Sequence, residues 1–202
     1  MEIVLGLDCD GVVLNYGPAL LEFGRRKGLR IGCEWHEVDM YHMSMAFPDL
    51  TKDDIMSLIE EFALDDGFGE ITLMPGFVEA LEALREEFPG LKVVAVTSAG
   101  REERTIELRK SNLAPLGFNE VHVLPLSASK KDHLSQLPAG SVFVDDLKKH
   151  VDAAEEVGLQ GVLVRQPYNS EDSHVHVMHD WMEGCRIISS LLRQGAERAK
   201  AA

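Results

Sequence analysis

Acidic residues follow two of the short apolar segments in this sequence, and their positions favour metal-assisted chemistry. Asp8 and Asp10 come directly after the first such segment, and the adjacent pair Asp145 and Asp146 follows a later one. Several carboxylates at the end of a hydrophobic strand are costly unless a cation joins them. Carboxylate oxygens suit Mg²⁺, a hard ion that keeps part of its water and shares a substrate phosphate. The sequence therefore predicts a magnesium site formed by these four acidic residues.

Hydroxyl and amino groups stand beside other apolar segments and would complete a site for a phosphate. Thr97 and Ser98 follow the segment Val93–Val96, and Lys130 and Lys131 lie ahead of the segment that ends in the acidic pair. Hydroxyls donate hydrogen bonds to phosphate oxygens, and an ammonium supplies positive charge. Each feature alone is common in loops and at helix starts. Their occurrence together, each beside its own segment, favours one shared site.

Five strand-length apolar segments alternate with helical patterns along most of the chain. Short apolar runs without strict alternation, separated by helices, indicate a parallel sheet that is covered on both faces. We therefore predict a doubly wound α/β fold, in which ligands bind at the carboxyl ends of the strands. The predicted strands are Ile3–Leu7, Val93–Val96, Val121–Leu124, Val142–Val144 and Val162–Val164, and two of the predicted helices are Phe77–Phe88 and Lys148–Val157.

The interval between the first two predicted strands is far longer than one crossover needs. It contains a predicted helix over Gly17–Lys27 and another after Thr51, where Thr51–Asp54 resembles a capping box. The sequence thus predicts an α/β core of residues 1–14 and 75–202, with a small helical cap over residues 15–74. Three flat side chains of this cap could stack on a nucleotide base or pack within the cap: Tyr16, Trp35 and Tyr41.

Composition and charge exclude several classes of partner. The chain has 202 residues, with 20 Lys and Arg against 34 Asp and Glu, and a net charge of −14. This balance argues against nucleic acid polymers and anionic membranes, since both need a basic surface. No apolar run reaches membrane-spanning length, and three cysteines in a chain of this size indicate a reducing compartment. We expect a cytoplasmic protein, with homodimer formation left open, that acts on a small phosphorylated substrate.

The order of these motifs resembles the four-motif signature of the haloacid-dehalogenase-like (HAD) superfamily. The matching segments are Asp8–Val12, Thr97–Ser98, one lysine of Lys130–Lys131, and Asp145–Asp146. The resemblance implies a central first strand and a phosphoaspartate intermediate, with Asp8 as the nucleophile and Asp10 as general acid and then base. It also favours a phosphate ester as substrate, because the dehalogenase branch lacks the second acid at the position of Asp10.

Two assignments within this signature stay open. The superfamily's further metal ligand usually follows the residue that ends the last motif strand. This favours Asp146 as the direct ligand with Asp145 supporting it, and the reverse arrangement stays possible. For the phosphate-binding lysine, Lys131 stands at a predicted helix start and fits the family pattern slightly better than Lys130.

The resemblance extends to the 5′(3′)-deoxyribonucleotidase-like branch of the superfamily. The segments that match this branch are Asp65–Phe68, Leu73–Phe77, Pro167–Asn169 and Trp181–Glu183. The branch implies a Mg²⁺-dependent phosphomonoesterase that acts on nucleoside 5′-monophosphates. A phosphatase of a sugar phosphate or another small metabolite is the first alternative, and a non-catalytic phosphate-binding module is the second.

Overall fold

The computed structural model describes residues 4–126 and 128–201, with side chains as far as residue 198, and its centre is a six-stranded sheet. Ile3, the predicted start of the first strand, lies outside these residues. The strands are β1 (Val4–Leu7), β2 (Lys92–Ser98), β3 (Glu120–Leu124), β4 (Val142–Asp145), β5 (Gln160–Val164) and β6 (Val177–Met178). Their order is β3-β2-β1-β4-β5-β6, and all neighbours are parallel. The predicted doubly wound α/β fold is confirmed, with β1 central.

Apolar runs mark the buried strands well. Four of the five predicted strands differ from β2, β3, β4 and β5 by one or two residues at an end, and the predicted first strand ends at Leu7, as β1 does. All four residues of β1 and of β4 are buried, as expected for central strands of a parallel sheet. The strand β6 was not predicted. It has two residues, pairs only at the sheet's edge with β5, and is too short to create a sequence pattern.

The described residues form seven α-helices. They are α1 (Tyr16–Arg26), α2 (Lys52–Leu64), α3 (Phe77–Glu87), α4 (Glu103–Leu113), α5 (Lys131–Leu134), α6 (Lys148–Glu156) and α7 (Trp181–Ala201). None of the helices in the described ranges is long and apolar enough to cross a membrane.

The side chains of β2 show that helices cover both faces of the sheet. Val93 and Ala95 belong to a hydrophobic cluster that includes residues of α3 and α7. Val94 and Val96 belong to a second cluster that includes Ala154 of α6. Because successive side chains of a strand point to opposite faces, the two clusters are the two sides of one sheet.

The helices α1 and α2 both lie within the interval predicted to be a cap. The rings of Phe23 and Phe62 pack between them with centroids 5.1 Å apart. The predicted capping box at the start of α2 is present. The hydroxyl of Thr51 accepts from the amide of Asp54 at 3.2 Å, and the Asp54 carboxylate accepts from the amide of Thr51 at 3.0 Å.

The chain enters and leaves this helical segment through two adjacent stretches of backbone. The amide of Asn15 donates to the carbonyl of Thr72, and the amide of Met74 donates to the carbonyl of Val13, both at 2.8 Å. The two connections therefore run side by side just beyond the end of β1, which places the helical segment next to that end.

Candidate active site

The ends of β1 and β4 carry the acidic residues, and these strands are neighbours in the sheet. Asp8 follows β1, and its amide donates to the carbonyl of Val144 at 2.9 Å. Asp145 ends β4 and Asp146 follows it. All three acids are buried, and one carboxylate oxygen of each lies within 4.8 Å of the others. The fold thus gathers three of the four predicted metal ligands into one group, here called the carboxylate cluster.

Lys130 supplies positive charge to the carboxylate cluster. Its Nζ atom donates to Oδ1 of Asp8 at 2.6 Å and to Oδ2 of Asp145 at 2.7 Å, and its side chain is 2% exposed. Lys131, which the family pattern slightly favours, lies elsewhere, and its Nζ atom pairs with Glu156 at the surface at 2.7 Å. The structure thus places Lys130 and not Lys131 at the carboxylate cluster, and the phosphate-binding role stays a prediction. Lys130 precedes α5 and Lys131 is its first residue, and consecutive side chains at a helix do not face the same way.

One lysine does not balance three buried carboxylates. Burial raises the pKa of the Asp8 carboxyl to about 6 against the attraction of Lys130, and neighbouring carboxylates add to the rise. Burial, together with the charges of Asp145 and Asp8, raises the pKa of Asp146 well above its usual range. For Asp145, Lys130 and His150 outweigh burial and lower the pKa to about 2. Buried oxygen donors with excess negative charge are the set that Mg²⁺ prefers, so the residues present fit the predicted ion.

The loop after β5 fixes the position of Asp146. The hydroxyl of Tyr168 donates to Oδ2 of Asp146, and Nδ2 of Asn169 donates to its backbone carbonyl at 2.7 Å. Gly11 makes room for this arrangement. Its φ is +75°, and a Cβ atom there would lie 3.0 Å from Oδ2 of Asp146. In the sequence, Tyr168 and Asn169 stand out only through the branch resemblance, and the fold places both against a predicted metal ligand.

Asp10 is held by an arginine that no sequence motif singled out. The Nη2 atom of Arg109 donates to Oδ1 and Oδ2 of Asp10 at 2.6 and 2.7 Å. Arg109 lies on α4, is 0% exposed, and its guanidinium carbon is 4.3 Å from the centre of the Phe68 ring. A signal was present in the sequence: Thr105, Arg109 and Leu113 recur every four residues on the buried face of α4, where an arginine is unexpected.

A cavity of about 330 Å³ lies between the carboxylate cluster and the cap helices. Its volume falls within the range of about 300–1,000 Å³ that is usual for small-molecule sites. Asp8, Asp10 and Asp146 line it from the core, together with Lys130. Polar lining residues that the sequence motifs did not indicate are His42, Lys52, Lys149 and His150.

The three flat side chains for which stacking on a base and packing within the cap were both open all line this cavity: Tyr16, Trp35 and Tyr41. The rings of Trp35 and Tyr41 also lie against the ring of Tyr168, with centroids 5.6 and 5.5 Å away. Since Tyr168 donates to Asp146, the rings of Trp35 and Tyr41 contact a residue that holds one acid of the carboxylate cluster. Tyr16 packs instead against Phe62 of α2, at 5.6 Å between centroids.

The two predicted hydroxyl residues take different positions. Thr97 lies within β2, pairs with Val123 of β3, and is 1% exposed. Ser98 ends β2 and lines the cavity, whereas Thr97 does not. The Oγ atom of Ser98 is buried and has no hydrogen-bond partner within the described part of the chain. Ser98 therefore offers a free donor to a ligand in the cavity, and the phosphate-binding role of Thr97 stays a prediction.

Comparisons with known proteins agree with this architecture. No family profile matches the chain. A phosphoglycolate phosphatase from Synechococcus elongatus is 29% identical over 143 residues, which are 65% of this chain and 66% of that relative. The chain thus spans just under two thirds of the curated relative's length.

Solved structures share the fold at low sequence identity. A HAD-superfamily hydrolase of subfamily IA from Geobacter sulfurreducens PCA is 18% identical with a TM-score of 0.58, over 93% of this chain and 96% of that chain. The HAD-hydrolase YfnB from Bacillus subtilis, bound to magnesium, is 13% identical with a TM-score of 0.56, over 93% and 98%. This parallel α/β domain, whose central strand is followed by Asp8-x-Asp10 and a helical insertion, therefore has the HAD-like fold. The chain thus shares the fold of these HAD-superfamily hydrolases, which agrees with the resemblance of its sequence motifs.

Proposed function

We propose that this chain is a Mg²⁺-dependent phosphomonoesterase that forms a phosphoaspartate on Asp8. The observation that carries the proposal is the carboxylate cluster, joined by Lys130 and open to a cavity of about 330 Å³. A module that only binds phosphate would gain nothing from three buried carboxylates, because these repel an anion unless a metal ion is bound. The site therefore favours phosphoryl transfer over simple binding.

In the first step, Asp8 attacks the phosphorus atom of the ester. Lys130 occupies Oδ1 of Asp8, so we assign the attack to Oδ2. The bond between Oδ2 and phosphorus forms as the bond between phosphorus and the ester oxygen breaks. Asp10 donates a proton to the departing oxygen, and Ser98 donates a hydrogen bond to the phosphoryl group.

In the second step, Asp10 acts as a base. It removes a proton from a water molecule, which attacks phosphorus and breaks the bond to Asp8. Inorganic phosphate leaves, and the Asp8 carboxylate is restored. Mg²⁺ held by Asp8 and Asp146 would screen the negative charge of the phosphoryl oxygens. Asp145 holds Lys130 in place between itself and the nucleophile.

Different observations favour two classes of leaving group. Lys52 and Lys149 line the cavity and could bind a carboxylate or hydroxyl group, which suits a small phosphorylated acid or sugar. The similarity to a phosphoglycolate phosphatase supports the same class. The rings of Tyr16, Trp35 and Tyr41 suit the base of a nucleoside 5′-monophosphate, the class that the branch resemblance implies. We propose a small phosphorylated metabolite as the substrate, with a nucleotide as the second candidate.

A phosphate-release screen tests this function. The substrates are phosphoglycolate, a set of sugar phosphates, the nucleoside 5′-monophosphates and p-nitrophenyl phosphate, each with MgCl₂ and with EDTA. We expect turnover that requires Mg²⁺ and is absent in Asp8→Asn, a variant that keeps the size of the side chain. Turnover in EDTA, or full activity of Asp8→Asn, would contradict the mechanism, and the preferred substrate decides between the two classes.

A further inference from the structure

The buried ion pair between Arg109 and Asp10 uses only part of the arginine. Its Nη2 atom reaches both oxygens of Asp10, whereas Nε and Nη1 are buried with no hydrogen-bond partner in residues 4–126 and 128–201. Buried donors without partners destabilise a fold, and an apolar side chain of similar size would avoid that cost. The arginine is thus better explained by what it does to Asp10 than by what it adds to the core.

We propose that Arg109 is a positioning residue, which holds the Asp10 carboxylate where it can exchange a proton with the substrate. This inference rests on the proposed function, in which Asp10 is the acid and then the base. Because one nitrogen binds both carboxylate oxygens, Asp10 cannot turn away without losing both bonds. Each carboxylate oxygen has two lone pairs, so beside the bond to Arg109 one position stays free on each oxygen. That position can carry the proton that goes to the leaving group, and it can accept the proton of the water in the second step.

The ring of Phe68 fixes the arginine in turn. The guanidinium carbon lies 4.3 Å from the ring centre, which is within the usual distance of a cation–π contact. Phe68 lines the cavity and belongs to the helical turn Asp66–Phe68, close to the point where the chain leaves the cap. Arg109 is therefore held between the ring on one side and the carboxylate of Asp10 on the other.

Leaving-group dependence tests this role. An alkyl phosphate needs a proton from Asp10, whereas p-nitrophenyl phosphate needs it far less because its leaving group is stable as an anion. In saturating Mg²⁺, Arg109→Met should lower kcat/KM for the best alkyl phosphate by about 10²-fold and kcat/KM for p-nitrophenyl phosphate by less than about threefold. A residue that only supports the fold would lower both values by the same factor.

Two further variants complete the test. Arg104→Met is the matched control, because Arg104 lies on the same helix but pairs with Asp66 at the surface, and neither kcat/KM should change by more than about twofold. Arg109→Lys keeps the buried charge but lacks the planar fork of donors. It should remain folded and again lose more activity on the alkyl phosphate than on p-nitrophenyl phosphate, but by a smaller factor. Melting temperatures of all variants identify any that do not fold.

The outcomes separate this inference from the proposed function. The positioning role would be overturned if Arg109→Met and Arg109→Lys lost equal activity on both esters. It would also be overturned if Arg104→Met lost more activity on the alkyl phosphate than on p-nitrophenyl phosphate. Either result would leave the phosphatase proposal intact. A parent chain that hydrolyses neither ester, or an Asp8→Asn variant as active as the parent, would overturn the proposed function and the role of Arg109 with it.

Discussion

The Nζ atom of Lys130 lies 2.6 Å from Oδ1 of Asp8, although 122 positions separate the two residues in the sequence. The same nitrogen also bonds Asp145, so one ammonium joins the ends of β1 and β4. Since neighbouring carboxylates repel each other when buried, this lysine is what allows Asp8 and Asp145 to be ionised at close range. In the proposed mechanism, catalysis and stability would therefore depend on the same side chain.

Lys130→Met should remove both functions of this side chain. Losing one partner of a buried ion pair typically costs about 3–5 kcal/mol in the free energy of unfolding, and phosphatase activity should fall at least about 10²-fold. Lys131→Met is the control, and because its ion pair is exposed, it should change the free energy by less than about 1 kcal/mol. Urea unfolding and phosphate release measure both effects. The reverse ranking would restore Lys131 as the phosphate-binding lysine.

Magnesium should stabilise the protein more at neutral pH than in acid. Burial raises the pKa of the Asp8 carboxyl to about 6, above the ordinary value near 3.8. Stability from this group is thus present in acid and is lost as pH rises through about 6, as the carboxylate becomes charged. The charged form binds Mg²⁺, so saturating MgCl₂ should raise Tm clearly at about pH 7.5 and little at about pH 5. Equal shifts at both values, or none, would contradict the site.

Asp146→Ala should weaken Mg²⁺ binding more than Asp145→Ala. Asp145 is bonded to Lys130, to His150 and to the amide of Leu147, whereas Asp146 lines the cavity. A titration of Tm against MgCl₂ concentration gives the apparent Kd of each variant. We expect the Asp145 variant to lose stability chiefly because Lys130 keeps only one of its two carboxylate partners, Asp8. The opposite order of Kd values would exchange the two roles.

Replacing an aromatic side chain of the cap should lower kcat/KM for nucleotides more than kcat/KM for p-nitrophenyl phosphate. Stacking on a base contributes about 1–3 kcal/mol, so Trp35→Ala or Tyr41→Ala should lower kcat/KM for nucleotides about 5- to 150-fold if nucleotides are the substrate. The value for p-nitrophenyl phosphate should change much less. His36→Ala, an exposed neighbour in the same segment, is the control. Equal losses on both substrates would mean that the rings serve packing alone.

The sequence by itself determined the fold class and the positions of the acidic residues. Apolar runs such as Val142–Val144 mark the buried strands, because a central strand of a parallel sheet is covered on both faces, and β4 itself extends one residue further, to Asp145. Once the strands are parallel, residues that follow them must meet at one edge. Asp8, Asp145 and Asp146 could therefore be brought together without coordinates, and the structure does bring them together.

Tertiary structure decided which neighbours complete the site. Which of Lys130 and Lys131 reaches the carboxylate cluster depends on how the start of α5 is rotated against β1 and β4. A sequence pattern does not distinguish two adjacent lysines at a helix start. The pairing of Arg109 with Asp10 joins residues 99 positions apart, on a helix whose register is set by packing. Periodicity tells which face of a helix is buried but not what that face touches, so contacts between distant elements emerge only when the whole core is assembled.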